Sequence, residues 1–328
     1  MQYQPHNSQP AASNQKAGAT SLIRKHANII GLGTVMITAI SFLSAVLFSF
    51  TIPVILSLVP YSGHELLRYS LSLIVYCIIL GVPCALISVL LRIPHQVAFP
   101  TRAPKMDILI SAVFISLGLR IVGGLLVDRL SAFIEKLTGL VPQAPNMPVP
   151  QGTFSYIVYF ISIAVAPAIF EEALFRGVIM QSLRRFGDYF AVVVSSVLFA
   201  VVHGNLIQGP YSFLLGLLIG YFVIYTGSIW TGVVIHFANN AIAVILESLI
   251  NNVDAYTLNL IYGLFLLLSV LLGISAIIYI KVKYGSLFYL KRGNFPIADN
   301  RKFPAFFSSV TIILTILFAL YESWGSLA

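Results

Sequence analysis

The sequence predicts an all-α, polytopic integral membrane protein with about 8–9 transmembrane helices, and two observations support this fold class. First, 58% of the 328 residues are hydrophobic and only 9% are charged, whereas soluble domains carry about 25% charged residues. Second, apolar runs long enough for a transmembrane helix of about 20 residues recur along the whole chain. This composition excludes a soluble enzyme, a disordered protein and a disulfide-rich secreted domain.

The predicted elements follow the hydropathy in chain order. Residues 1–26 predict a polar, mobile cytoplasmic tail, because its first part is rich in Gln, Asn, Ser and Pro and offers little apolar surface for packing. The run 27–59 is about twice as long as the apolar core of a signal peptide and therefore predicts the first span. An irregular external loop is predicted for the Pro-rich stretch 141–153. The later spans are predicted near 69–91, 108–127, 154–173, 189–226 (two helices), 231–250, 258–280 and 304–321.

The net charge of +8 is explained by topology. With the N-terminus inside, 14 of the 19 Lys and Arg residues fall on the cytoplasmic side of the predicted spans. Cytoplasmic loops of membrane proteins are enriched in these residues, so the bias predicts a multi-pass protein of the cell membrane with a cytoplasmic N-terminus. The basic excess is therefore topological and does not indicate nucleic acid as a partner, while the membrane location makes membrane lipids the expected partners.

A small set of polar side chains lies inside the predicted spans. Each charged residue at the centre of a bilayer costs roughly 2.5–3.5 kcal/mol on insertion scales, and such residues usually face a protein interior or a water-filled cavity. They are therefore candidates for a functional site. The set is Arg120, Glu171, Glu172, Arg176, His203, His236 and Glu247.

The first motif is Glu-Glu-x-x-x-Arg. Glu172 and Arg176 are four residues apart and can pair along one helix face, which alone is commonly a structural ion pair. Glu171 is rotated from Glu172 by about 100°, so it faces elsewhere and is free for another role.

Two further motifs contain the only histidines within the spans. Phe199 precedes His203 by one turn, and Asn240 follows His236 by one turn. If the helices on either side of Gly187 fold back on each other, Glu171 and His203 reach the same height, because each lies 16 residues from that glycine. The connection 204–210 would then lie at membrane depth, where irregular backbone must be buried or line a hydrated cavity.

These groups suggest hydrolysis by an activated water, although a single membrane histidine more often only links helices. Glu171 would act as general base while His203 orients the water. His236 and Asn240 would donate hydrogen bonds to the oxyanion that forms when a carbonyl is attacked.

Taken together, the three motifs resemble those of the CPBP family of intramembrane proteases, which includes the type II CAAX prenyl protease and bacterial relatives linked to bacteriocin immunity. The resemblance implies a helical catalytic core at 154–250, between N-terminal helices at 27–153 and C-terminal helices at 251–328. It also implies an endopeptidase that cleaves a membrane-associated peptide or protein. The implied catalytic residues are Glu171, His203, His236 and Asn240, supported by Glu172, Arg176 and Phe199.

Metal dependence and two other functions stay open. If a metal such as zinc takes part, Glu171, His203 and His236 are the expected ligands, but no HExxH motif argues for zinc, and water activated by Glu171 alone is preferred. A catalytically silent immunity or scaffold protein that binds a partner peptide is the first alternative function. A proton- or cation-coupled transporter is the second.

Overall fold

The structure, a computed structural model, describes residues 9–60, 63–143, 148–250, 252–285 and 289–327. Within these ranges the chain forms helices, turns and irregular connections, and no strand. The all-α fold class is confirmed. In chain order the helices are α1 (Gln9–Ser57), α2 (His64–Leu90), α3 (His95–Ala98), α4 (Met106–Thr138), α5 (Thr153–Phe186), α6 (Asp188–Val201), α7 (Gln208–Thr226), α8 (Ile229–Ile250), α9 (Ala255–Tyr284), α10 (Asp299–Phe307) and α11 (Val310–Gly325).

Seven of these described helices are long and apolar enough to cross a membrane. The number rises to eight if α10 and α11, which are bent by 70° at a short break, form one span. The predicted ninth span is missing because α6 has only 14 residues, fewer than the roughly 20 that cross a bilayer. The predicted continuous span at 304–321 is likewise interrupted, since α10 ends at Phe307 and α11 begins at Val310.

The first helix starts much earlier than the hydropathy predicted. From Gln9 onward the chain is helical, whereas the sequence predicted a mobile tail over residues 1–26. Residues 1–8 lie outside the described ranges. Ile23, Ala27 and Ile30 are fully buried at helical spacing and form an apolar stripe on the face of a helix that packs against α10 and α11. Ala27 and Ile30 belong to the apolar run predicted as the first span, and Ile23 extends the same stripe into the stretch before it.

The hairpin between α5 and α6 follows the sequence prediction. Gly187 connects the two helices with φ +122°, and a Cβ at this position would lie 2.1 Å from the backbone oxygen of Arg292. Only glycine combines this conformation with so close an approach. The buried Lys302 closes the turn by donating from Nζ to the Phe186 carbonyl at 2.6 Å. The segment around Arg292 is thereby fixed against the hairpin.

The basic loops gather at the end of the bundle that contains Gly187, here called the Gly187 end. There the backbone N–H of Tyr189 donates to the carbonyl of Lys291 at 3.2 Å. The Lys283 ammonium contacts the Asp107 carboxylate at 2.7 Å. This clustering agrees with the charge pattern of the sequence, but the side of the membrane that this end faces stays a prediction.

Candidate active site

A cavity of about 530 Å³ opens between α2, α4, α5, α6, α7 and α8. It is lined by five of the residues predicted for the site, namely Glu171, Phe199, His203, His236 and Asn240. Glu172 and Arg176 are fully buried behind this wall. A second cavity of similar volume lies between α4, α7 and α9, but its lining is apolar. The first cavity is therefore the candidate active site.

One carboxylate oxygen of Glu171 accepts a hydrogen bond, and the other has no hydrogen-bond partner among the described residues. The hydroxyl of Tyr76 on α2 donates to Oε1. Oε2 is buried and has no hydrogen-bond partner in the described chain, and His236 Nε2 lies 3.7 Å from it. A buried acceptor without a partner is energetically costly, so Oε2 is a position at which a water molecule or a substrate group would gain a hydrogen bond.

The second glutamate holds a buried ionic network. Glu172 Oε1 lies 3.1 Å from Arg176 Nη1 and 2.8 Å from His236 Nδ1. Since a carboxylate accepts, Nδ1 of His236 carries the donated hydrogen, and Nε2 is the ring atom that faces Glu171. Glu172 therefore sets the orientation of the imidazole between the two carboxylates.

The ring of Phe199 packs against the ion pair and against both histidines. The guanidinium of Arg176 lies over the Phe199 ring at 4.3 Å from the centroid, a distance suited to cation–π attraction. The same ring meets the edges of His203 and His236, with centroid distances of 4.9 Å and 5.8 Å. Phe199 thus links the ion pair to both histidines.

The helix that carries the glutamates contains two π-helical segments, Ile161–Val165 and Ala173–Ile179. Such turns widen the helix and are frequent at functional sites. Asn240 Nδ2 donates to the carbonyl of Ile163 inside the first segment at 3.1 Å. One amide hydrogen of Asn240 is thus committed to α5, and the second can serve a ligand in the cavity.

His203 lies at the start of an irregular connection. Its Nδ1 contacts the carbonyl of Phe199 at 2.6 Å, so Nδ1 is the donor and Nε2 is available to the cavity. Helix α7 begins at Gln208, earlier than expected, and the irregular stretch therefore ends before residue 208. Ile207 and Gln208 line the cavity, and the depth of this connection in the membrane stays a prediction.

Further cavity residues lie outside the three motifs. Arg120 and Glu247 line the cavity; the sequence marked both as unexpected charges within spans but gave them no role. Tyr76 and Tyr211 also line it, and tyrosines are too common in spans to be recognised from sequence. The contact of Tyr76 with Glu171 joins residues 95 positions apart, which no local pattern encodes.

The ligand set proposed for a metal does not form a metal-binding group in this structure. In the described ranges no cluster of three or more His, Cys, Asp or Glu side chains has a geometry that could hold a metal ion. Glu171, His203 and His236 share the cavity wall without converging as ligands, so no catalytic step is derived through zinc.

Comparison with known protein families gives one match. Residues 153–242 match the family model described as Type II CAAX prenyl endopeptidase Rce1-like, which confirms the family resemblance. All three motifs fall inside the matched segment, although it covers less than a third of the chain. Neither the curated proteins nor the solved structures gave a significant match. At the level of the family, the match implies a peptidase with a peptide or protein substrate in a membrane.

Proposed function

We propose that the protein is an intramembrane endopeptidase that hydrolyses a peptide bond of a membrane-associated peptide or protein with a water activated by Glu171. The observation that carries this proposal is the free Oε2 of Glu171, buried at the wall of a polar cavity without a hydrogen-bond partner among the described residues. A carboxylate in this position can accept a proton from a cavity water.

The reaction would proceed in two steps. As the water oxygen bonds to the carbonyl carbon of the scissile peptide, its proton passes to Glu171 Oε2 and the carbonyl electrons move to oxygen. The oxyanion then collapses, the carbon–nitrogen bond breaks, and the proton held by Glu171 passes to the leaving nitrogen. Tyr76 keeps the carboxylate in place through its hydrogen bond to Oε1.

The imidazoles and the amide would orient the water and stabilise charge. His203 can accept a hydrogen of the water at Nε2, because its Nδ1 is occupied by the Phe199 carbonyl. When Nε2 of His236 is protonated, it can donate to the oxyanion together with the second amide hydrogen of Asn240. Glu172 and Arg176 would act through the orientation of His236 and are positioning residues.

The test compares purified full-length protein with Glu171→Gln and His203→Ala on a peptide library, with products identified by mass spectrometry. Glu171→Gln removes the general base, which lowers the rate by about 10²–10⁴-fold, and His203→Ala removes the group that orients the water. Both variants should therefore lose cleavage, whereas Glu135→Gln on the exposed end of α4 should retain it. In parallel, membrane proteomes of wild-type and Glu171→Gln cells should differ in the substrate. If the wild-type protein cleaves nothing, or Glu171→Gln cleaves equally well, the enzyme proposal fails and the scaffold alternative gains support.

Zinc is the alternative source of an activated water. Metal analysis and a chelator series on active protein test this, since a metal-dependent enzyme loses activity with the metal and regains it on zinc addition. We expect activity without bound metal, because the chain offers Glu171 as a base of its own.

We also propose that the Gly187 end, which contains the basic loops and the start of α1, faces the cytoplasm of the cell. The support is the positive-inside rule. Reporter fusions at the two ends of the bundle test it, and a periplasmic or external signal from the Gly187 end would reverse the orientation.

A further inference from the structure

Arg120 is a charged group in the cavity that the proposed mechanism does not use. It lies in the middle of α4 and lines the cavity. None of the described carboxylates is within ion-pair distance of its guanidinium, although Glu171 and Glu247 line the same cavity. A cation at membrane depth usually has an anionic partner, so the missing partner requires an explanation.

Two residues, Asn239 on α8 and Tyr211 on α7, hold this side chain in place. Arg120 Nη1 donates to the backbone carbonyl of Asn239 at 3.2 Å, and the guanidinium lies 5.7 Å from the centroid of the Tyr211 ring. An arginine presents five N–H donors in a planar fork. One of them bonds to the Asn239 carbonyl, and the Tyr211 side chain also interacts with the guanidinium, so at most two donors are used within the described chain. The remaining donors are available to a ligand.

The groups that hold Arg120 are themselves fixed. The hydroxyl of Tyr211 donates to Asn239 Oδ1 at 2.6 Å, and Asn239 Nδ2 donates to Ser116 Oγ at 2.8 Å. Asn239 is almost fully buried, in contrast to its neighbour Asn240 on the cavity wall. The two adjacent asparagines thus differ in role. The backbone carbonyl of Asn239 binds Arg120, whereas the side chain of Asn240 faces the proposed reaction centre.

We propose that Arg120 forms an anion-binding subsite that holds a carboxylate of the substrate. The proposal rests on the endopeptidase function and specifies its substrate class. Arginine is suited to this task because its fork binds a carboxylate through two parallel hydrogen bonds. The carboxylate is either the C-terminal group of a peptide or the side chain of Asp or Glu.

The position of the subsite limits which carboxylate can be held. Asn239 lies three residues beyond His236, or about 4.5 Å along the helix axis, and its carbonyl points further in the same direction. An extended peptide covers about 3.3–3.6 Å per residue. A carboxylate on Arg120 therefore belongs to a residue within about three positions of the scissile bond.

The experiment uses three matched libraries of random ten-residue peptides. The first ends in a free carboxylate and contains no Asp or Glu, the second is its carboxamide form, and the third is a carboxamide with one Asp. Hydrolysis by full-length protein is compared between wild type, Arg120→Gln and Arg120→Lys. Arg129→Gln, on the exposed part of the same helix, is the matched control.

In wild type and Arg129→Gln, the preferred acidic peptides should be cleaved about 10–100-fold faster than their neutral forms, as expected for charge-assisted hydrogen bonds. Arg120→Gln should lower this ratio to about one, and Arg120→Lys should restore part of it by retaining the charge without the fork. A preference for the first library identifies a C-terminal carboxylate as the ligand, and a preference for the third identifies a side chain. A merely structural arginine would lower all rates by one factor and leave the ratio unchanged, which would overturn the proposal.

Binding separates failure of the subsite from failure of the proposed function. Peptides retained by immobilised Glu171→Gln protein should be enriched in acidic sequences, and the enrichment should vanish when Arg120→Gln is added. Such enrichment without hydrolysis by wild type would leave the subsite intact and overturn the endopeptidase function. Hydrolysis without any dependence on Arg120, or no retention of peptides from any library, would overturn the subsite.

Discussion

The buried ion pair between Glu172 and Arg176 allows a quantitative test of the packing behind the cavity. Both side chains are 0% exposed, and Arg176 Nε and Nη2 have no hydrogen-bond partner in the described part of the chain. Removal of one member leaves the other as a buried charge with too few partners, which costs about 3–5 kcal/mol. Arg176→Met and Glu172→Leu should each lower the free energy of unfolding by this amount.

The loss of unfolding free energy in the double variant should be smaller than the sum of the losses in the two single variants. Replacing both members of a buried ion pair by apolar groups is often neutral or even stabilising, because no uncompensated charge remains. Glu172→Leu combined with Arg176→Met should therefore be more stable than either single variant. It should still be inactive, because Glu172 no longer orients His236.

The assay is equilibrium unfolding in mixed detergent micelles of increasing denaturing-detergent fraction, followed by tryptophan fluorescence. The control is Arg184→Met, whose partner Asp188 has the same four-residue spacing but whose side chain is 39% exposed. A pair of this kind contributes about 0–1 kcal/mol. The reasoning is refuted if Arg176→Met costs no more than Arg184→Met, or if the two effects at the buried pair simply add.

Three further predictions concern Tyr76 and two glycines. Tyr76→Phe removes a charge-assisted hydrogen bond to Glu171, worth about 1.5–3 kcal/mol, so kcat on a cleaved peptide should fall about tenfold or more; an unchanged kcat would contradict the positioning role. Gly187→Ala combines a left-handed conformation with a collision against a backbone oxygen and should cost about 3 kcal/mol or more, measured by the same unfolding assay. Gly232→Ala places a Cβ 2.9 Å from Glu172 Oε2 and should cost about 1–3 kcal/mol together with activity, whereas Gly263→Ala in open space should leave both unchanged.

Most of the span positions followed from hydropathy, because a bilayer imposes the same length and apolarity on any helix that crosses it. The span predictions were inaccurate at the start of α1 and at α6, where contacts within the protein, and not average hydropathy, determine the structure. Residues 9–26 are helical although their average composition is polar, and within this stretch Ala19 and Ile23 are buried on a helix that packs against α10 and α11. Helix α6 is too short to span, and its end is covered by protein; Gly204, for example, lies against the side chain of Glu322.

The site was predictable only where its residues share a helix or a motif. Glu172 and Arg176 are one turn apart, so their pairing could be derived from helical spacing and is present at 3.1 Å. The link between His236 and Glu172 could not be derived, since it joins residues 64 positions apart on two helices. The cavity positions of Arg120 and Glu247 likewise depend on how α4 and α8 pack.

The sequence by itself determined that the protein lies in a membrane and which polar side chains are present inside its spans. A chain with so few charges must lie in a membrane, and the few polar groups left inside the spans had to be buried in protein or line a cavity. The tertiary structure alone decided which of these groups meet and what each one contacts. The physical reason is that hydropathy and helical period act within one helix, whereas the cavity is formed by six helices whose mutual packing brings distant residues into hydrogen-bond distance.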